Sequence, residues 1–234
     1  MRKEMLKNIK KILLISALIG VSFFCGAISL FAAANVYTII IDPAHGGTDT
    51  GVKITDKINE KDITLAIARE LQKELSRESN IKVILTRDSD TDMSAEKLTQ
   101  IVRDNKPDFF ISIHVNKGFG KYASGFELYY PGFGKDTVGG KKEIKNLSNE
   151  RINRINKSVR MSQLIQRNLD SIFARKGRGL READTPQMEG LSVPTLTVEI
   201  GFASNSDDRK KILSEKTQKE IAQALAKSIK SFYR

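Results

Sequence analysis

The chain has 234 residues, with 39 basic against 28 acidic side chains and a formal net charge of +11. With 40% apolar and 29% charged residues it belongs with globular domains, which at this size bury roughly 70% of their unfolded surface; disordered and fibrous classes are excluded. The single Cys25 excludes an intramolecular disulfide framework and a cysteine-based structural zinc site. His45 and His114 are the only histidines, which excludes a histidine-rich metal cage. Without Trp, a nucleic-acid platform of stacked aromatics is not expected.

The first eleven residues carry Arg2, Lys3, Lys7, Lys10 and Lys11 against Glu4, and residues 12–34 then run without a charge to Ala32-Ala33-Ala34. A basic leader, an apolar run and a small-residue exit predict a secretory signal over 1–34, cleaved after Ala34. The rival reading is a retained membrane anchor through 12–34, since twenty-three helical residues span about 34 Å. Cys25 follows Phe23-Phe24 and lacks the small neighbour a lipoprotein signal needs. Either way the body, 35–234, is exported to the cell envelope. Losing the leader removes five bases and one acid and leaves a net charge of +7. Those charges are interspersed, so an anionic envelope polymer, a membrane surface or plain solubility explains them better than nucleic acid does.

Residues 37–42 form a continuous apolar run ending at Pro43-Ala-His-Gly-Gly47, the pattern of a strand buried on both faces. Residues 62–79 repeat Ile63, Ala66, Ile67, Leu71 and Leu75 at helical spacing. A strand follows at 81–86, a helix at 95–105, and strands at 109–114 and 125–130, the last close enough to its predecessor to run antiparallel. Residues 131–150 hold four glycines and four lysines and are expected to be an irregular, mobile basic loop. A long helix is predicted over 152–174, a last strand over 195–200, and a closing helix through Ile221, Leu225, Ile229 and Phe232 with Ser214 as its cap. The alternation predicts one α/β domain: a single twisted, mostly parallel sheet with helices on both faces.

In such sheets ligands bind at the carboxyl ends of the parallel strands. His45, His114 and Glu199 all fall at predicted strand ends. Each alone is ordinary packing; both histidines of the chain on one sheet edge suggest a metal site. Two imidazoles and one carboxylate form a catalytic zinc set with a fourth position for water. Composition leaves that carboxylate open among Asp42, Asp49, Asp56, Glu60 and Asp62.

Six motifs occur in order: Ile41-Asp-Pro-Ala-His-Gly-Gly47, Asn59-Glu-Lys-Asp62, Leu85-Thr-Arg87, Ser112-Ile-His-Val-Asn116, Ser124-Gly-Phe-Glu-Leu-Tyr-Tyr130 and Val198-Glu-Ile-Gly-Phe-Ala-Ser-Asn205. Through them the chain resembles the zinc-dependent N-acetylmuramoyl-L-alanine amidases, which cut bacterial peptidoglycan between glycan and stem peptide. The resemblance covers residues 37–234. It implies a twisted sheet flanked by helices, Zn2+ held by His45, Glu60 and His114, and Glu199 as the catalytic carboxylate. It further implies a peptidoglycan substrate, in vegetative wall or spore cortex. Asp42 could orient a ligand histidine or cap its turn, and Arg87 and Asn116 are expected to be structural hydrogen bonders.

The resemblance has departures. Ala44 stands where the family's first motif usually has glycine, and Thr185-Pro-Gln-Met-Glu189 replaces an apolar stretch, which bears on one groove wall. Some relatives carry, near the region of 131–150, an inhibitory helix that an activator releases, so the resemblance extends to an activator or lipoprotein partner. Another zinc peptidase or deacetylase of the wall would share the ligand set; a non-catalytic wall-binding relative need not keep the ligands and Glu199 together.

Overall fold

The computed structural model describes residues 3–5, 35–132, 135–138, 141–144, 148–173, 179–183, 185 and 190–234. The chain divides into two compact units, Met1–Asn35 and Val36–Arg234. In the first, the helical residues 3–5 and Asn35 are described, so nearly all of the expected signal or anchor, including 12–34, lies outside the described residues. Among the described residues no helix is long and apolar enough to cross a membrane.

The second unit begins with β1 (Tyr37–Pro43), α1 (Glu60–Leu75), β2 (Ile81–Leu85), α2 (Ala95–Asn105) and β3 (Phe109–Asn116). It continues with β4 (Phe126–Tyr130), β5 (Lys135–Val138), β6 (Lys141–Ile144), α3 (Asn149–Leu169), β7 (Leu180–Glu182), β8 (Thr195–Phe202), α4 (Ser206–Leu213) and α5 (Glu215–Phe232). The main sheet runs β2-β1-β3-β8-β4-β7. β2, β1, β3 and β8 are mutually parallel, whereas β4 pairs antiparallel with β8, as the short connection after β3 allows.

This order explains the layers. The chain steps from β1 to β2 in one direction, then returns across β1 to β3 in the other. Right-handed crossovers therefore place α1 and α2 on opposite faces. Ile63, Ile67 and Leu71 of α1 pack with Ile39 and Ile41, whereas Leu98 and Val102 of α2 pack with Ile40 and Phe110. Successive β1 side chains thus serve different layers. The first layer is much the larger: Met161, Ile165 and Leu169 of α3 and Ile221, Leu225 and Ile229 of α5 join it, all fully or almost fully buried. Ser94 caps α2 by accepting from Lys97 N at 3.2 Å, and Ser214 caps α5 by accepting from Thr217 N, as its position predicted.

Two expectations need correction, and two short elements were not anticipated. Residues 131–150 are not simply an irregular loop: β5 and β6 pair antiparallel as a separate two-stranded sheet. In the sequence the glycines lie before and between these strands rather than inside them. The helix expected over 152–174 starts earlier, at Asn149 behind the Ser148 cap, and ends at Leu169. α4 and the three-residue β7 went unpredicted, being too short for a periodic signal.

Candidate metal centre and catalytic cleft

The reversal of strand order lies between β1 and β3, and the carboxyl ends of both strands open there, where open α/β sheets bind ligands. β1 leads into a tight turn in which Gly46 N donates to Asp49 O at 2.8 Å and Asp49 N to Gly46 O at 3.1 Å. His45, at φ 64°, takes the left-handed conformation that a non-glycine residue adopts only when its surroundings impose it. Those surroundings are explicit. Buried Arg87 donates to the carbonyls of Pro43 (2.9 Å), Ala44 (3.1 Å) and Lys61 (2.9 Å). Lys61 Nζ donates to Gly47 O at 2.8 Å and Thr64 Oγ1 to Ala44 O at 2.9 Å. Arg87 is therefore structural, as its motif suggested. Ala44 keeps a negative φ, is buried and donates to Ile113 O at 3.1 Å, so the turn accepts alanine there.

Glu60 is the first residue of α1, at the positive end of the helix dipole. It is buried, and each oxygen faces one imidazole: Oε2 lies 3.1 Å from His45 Nε2 and Oε1 lies 3.1 Å from His114 Nδ1. Val52 N and Val115 N also donate to it, at 2.9 Å each. Burial raises the Glu60 carboxyl pKa, but the hydrogen bonds with His114 and His45 outweigh it and hold the pKa at about 2. The Glu60 hydrogen bond in turn pushes His45 up to about 9 against the opposing effect of its burial. Gly51 (φ 65°) lies so close that a Cβ there would stand 2.6 Å from His45 Cδ2 and 2.7 Å from Glu60 Oε2. Of the carboxylates left open by composition, Glu60 alone joins both histidines. One ligand atom from each of His45, Glu60 and His114 lies within 4.8 Å of the others, a group that could hold a metal ion.

Glu199 sits opposite His114 across β3–β8 and opposite Glu127 across β8–β4, and the β3–β8 register shifts just beyond it. Such irregularities re-aim side chains beside functional sites. Burial pushes the Glu199 carboxyl up to about 7, with Glu60 and Glu127 adding to the rise and the histidines opposing it. Among the described residues, Glu199 Oε2 and His114 Nε2 are buried without a hydrogen-bond partner. Leaving such atoms unpaired costs about 1–3 kcal/mol each, a cost that a bound cation or substrate would relieve. A cleft of about 730 Å³ is lined by His45, Glu60, His114 and Glu199 together with Lys117, Thr185 and Ser204. A second, of about 640 Å³, adjoins the same histidines and runs along Ser94, Leu98 and Arg103 of the α2 region.

A model of the N-acetylmuramoyl-L-alanine amidase family matches residues 39–231. The chain belongs to that family. Among its relatives, the uncharacterized protein YqiI of Bacillus subtilis (strain 168) is 32% identical over 196 residues, covering 84% of each chain. The N-acetylmuramoyl-L-alanine amidase CwlM of Bacillus licheniformis is 32% identical over 82% of this chain, which spans 66% of CwlM. A crystal structure of an N-acetylmuramoyl-L-alanine amidase from Clostridium difficile 630 superposes with a TM-score of 0.70 at 28% identity, covering 85% of this chain and 97% of that one. The CwlD amidase of Clostridioides difficile, solved in complex with the GerS lipoprotein, gives 0.68 at 25% identity over 84% and 98%.

Within this amidase family fold, two expectations about neighbouring residues resolve differently. Asp42 bonds neither histidine; it accepts from Thr86 Oγ1 and Ser112 Oγ, each at 2.7 Å, and so ties β1 to both flanking segments. Asp49 is the residue that meets a histidine, its Oδ2 standing 2.8 Å from His45 Nδ1. Asn116 is structural, donating to Glu127 Oε2 at 3.1 Å and accepting from Gly118 N at 2.8 Å. Glu127 stands in the fifth of the sequence motifs, where no role was assigned to it. It is buried and also accepts from Tyr129 O–H (2.7 Å) and Arg181 Nε (3.1 Å). Its sequence signals are its place in that motif and an acidic side chain within an otherwise apolar strand. Of the segment expected to shape a groove wall, Thr185 meets Thr197 at 3.1 Å; residues 186–189 lie outside the described residues.

Proposed function

We propose that this chain is a zinc-dependent N-acetylmuramoyl-L-alanine amidase of the cell envelope, hydrolysing the amide between N-acetylmuramic acid and L-alanine in peptidoglycan of vegetative wall or spore cortex. The observation that carries the reading is the convergence of His45, Glu60 and His114 in one cleft with the unpaired Glu199 Oε2. The donors fit the metal: two imidazoles and one carboxylate from three separate elements, with a buried unpaired nitrogen on His114, make a catalytic rather than a closed structural set. In this reading His45, Glu60 and His114 hold the metal. When bound, zinc supplies Lewis acidity toward an amide carbonyl and brings the pKa of water to about 7.

The chain's own residues do the rest. Glu199 accepts a proton at its unpaired oxygen from the attacking water and returns it to the departing amine of L-alanine. Asp49 fixes the His45 ring through Nδ1. Arg87, Thr64 and Lys61 hold the turn that presents His45.

Export through residues 1–34, with cleavage after Ala34 favoured over an anchor, belongs to this reading and is supported by the cell-wall amidases among the relatives. An activator or lipoprotein partner is supported by the complex of the CwlD neighbour. The test is digestion of purified peptidoglycan with analysis of the new ends and of protein-bound metal. A new L-alanine amine with about one zinc per chain is expected; another product points to a different wall hydrolase, and no product to a binding protein. Amino-terminal sequencing of native protein should begin near Asn35, and an intact Met1 in membranes would favour the anchor.

A further inference from the structure

Between β3 and β4 the chain displays two aromatic rings that the described core does not use. Phe119 is fully exposed and Tyr122 is 86% exposed, two of the five exposed large apolar residues among those described. Single exposed apolar residues are unremarkable on any protein. Here, though, the backbone beneath the rings is pinned. Gly118 N donates to Asn116 Oδ1 (2.8 Å), Ser204 N to Lys117 O (3.2 Å), Ser204 Oγ to Gly120 O (2.7 Å) and Asn205 Nδ2 to Lys121 O (2.9 Å). Gly118, at φ 73°, lies close enough to β8 that a Cβ would stand 2.7 Å from Ser204 Oγ and 2.9 Å from Phe202 Cδ1. The segment is thus fastened to the end of the strand that carries Glu199, with its rings directed outward. A backbone held in this way lowers the ordering cost of binding through the rings it displays.

We propose that this segment is a platform for the glycan strand of the substrate. The proposal rests on the amidase reading and extends it from the scissile amide to the polymer. Lys117 and Ser204 line the catalytic cleft with Glu199, so the platform begins where the cleft ends. A polymer cut at one muramoyl residue must continue past the cleft. Its N-acetylated pyranose rings offer apolar C–H faces to aromatic rings, and their hydroxyl and acetamido oxygens accept from ammonium groups. Phe119 and Tyr122 supply the first contact, and Lys117 and Lys121 the second; Lys121 Nζ lies 5.5 Å from the Tyr122 ring centre.

The experiment measures binding of the full chain to soluble glycan strands stripped of stem peptides, which contain no scissile amide. Phe119→Ala and Tyr122→Ala should each weaken binding roughly threefold to tenfold, the double variant more, and Phe119→Trp should restore it. Melting temperatures should not move, since both rings are exposed. Equal affinities across the series overturn the proposal. So does loss of partitioning onto anionic phospholipid vesicles with strand binding intact, which would make the segment a membrane contact. Aromatic-dependent strand binding by a wild-type chain that cuts no peptidoglycan sustains the platform and removes the amidase reading instead.

Discussion

Glu199 and His114 are register partners on adjacent parallel strands, so the carboxylate with an unpaired oxygen and the imidazole with an unpaired nitrogen share one cleft. Glu60 occupies a different position, at the start of a helix with both oxygens already committed to histidines and backbone amides. The two glutamates are therefore expected to fail differently. Glu199→Gln should keep its zinc and its fold and lose roughly 10²–10⁴-fold in hydrolysis. Glu60→Ala, His45→Ala and His114→Ala should lose the metal itself. Zinc content and turnover measured on all four decide it; zinc lost from Glu199→Gln but kept by Glu60→Ala would reverse the two roles.

Asp49→Asn should retain the fold and bind zinc about 10–100-fold more weakly, since the Asp49 carboxylate orients His45 without being one of the three converging donors. Competition with a chelator of known affinity measures the change. An unchanged affinity would mean that the turn alone holds the ring.

Arg87→Met should destabilise the protein by about 2–4 kcal/mol, because the carbonyls of Pro43, Ala44 and Lys61 lose a buried donor. Denaturant unfolding gives the number. His45 should also be released from its left-handed conformation, so zinc affinity should fall with stability; a loss of stability with affinity untouched would separate the clamp from the site.

The Glu199 carboxyl is raised to about 7 from an ordinary 4.5, so the fold favours its protonated form. Its stabilising contribution is complete below about pH 4.5 and is lost as pH rises through 7. In chelator-treated protein the melting temperature of the wild type should therefore drop relative to Glu199→Gln between pH 5 and pH 8. His45, raised to about 9, loses stability in the same direction but does so in both proteins. A difference that stays flat across that range would place the ionised carboxylate in water rather than in the cleft.

Much of this was legible in the chain. The continuous apolar runs of β1, β3 and β8 and the 3.6-residue spacing of α1, α2 and α5 arise from burial against a sheet, which periodicity records directly. The short connection before β4 allowed its antiparallel pairing. His45, His114 and Glu199 could be placed at strand ends because strand direction is a property of the chain. Residue composition by itself left five carboxylates as candidates for the third position, and only the motif resemblance singled out Glu60.

Tertiary structure decided what depends on neighbours distant in sequence. Asp42 and Asp49 both flank His45, yet Asp42 turns to Thr86 and Ser112 while Asp49 reaches the ring. The left-handed His45 depends on Arg87, forty-two positions away, and the acid–base character of Glu199 depends on burial beside Glu60 and Glu127. The β5–β6 pairing hid behind glycines that lie outside its strands. Local patterns report how each segment meets the core. Hydrogen-bond partners and desolvation are set by which segments the β1–β3 switch point brings together, and that is a property of the assembled sheet.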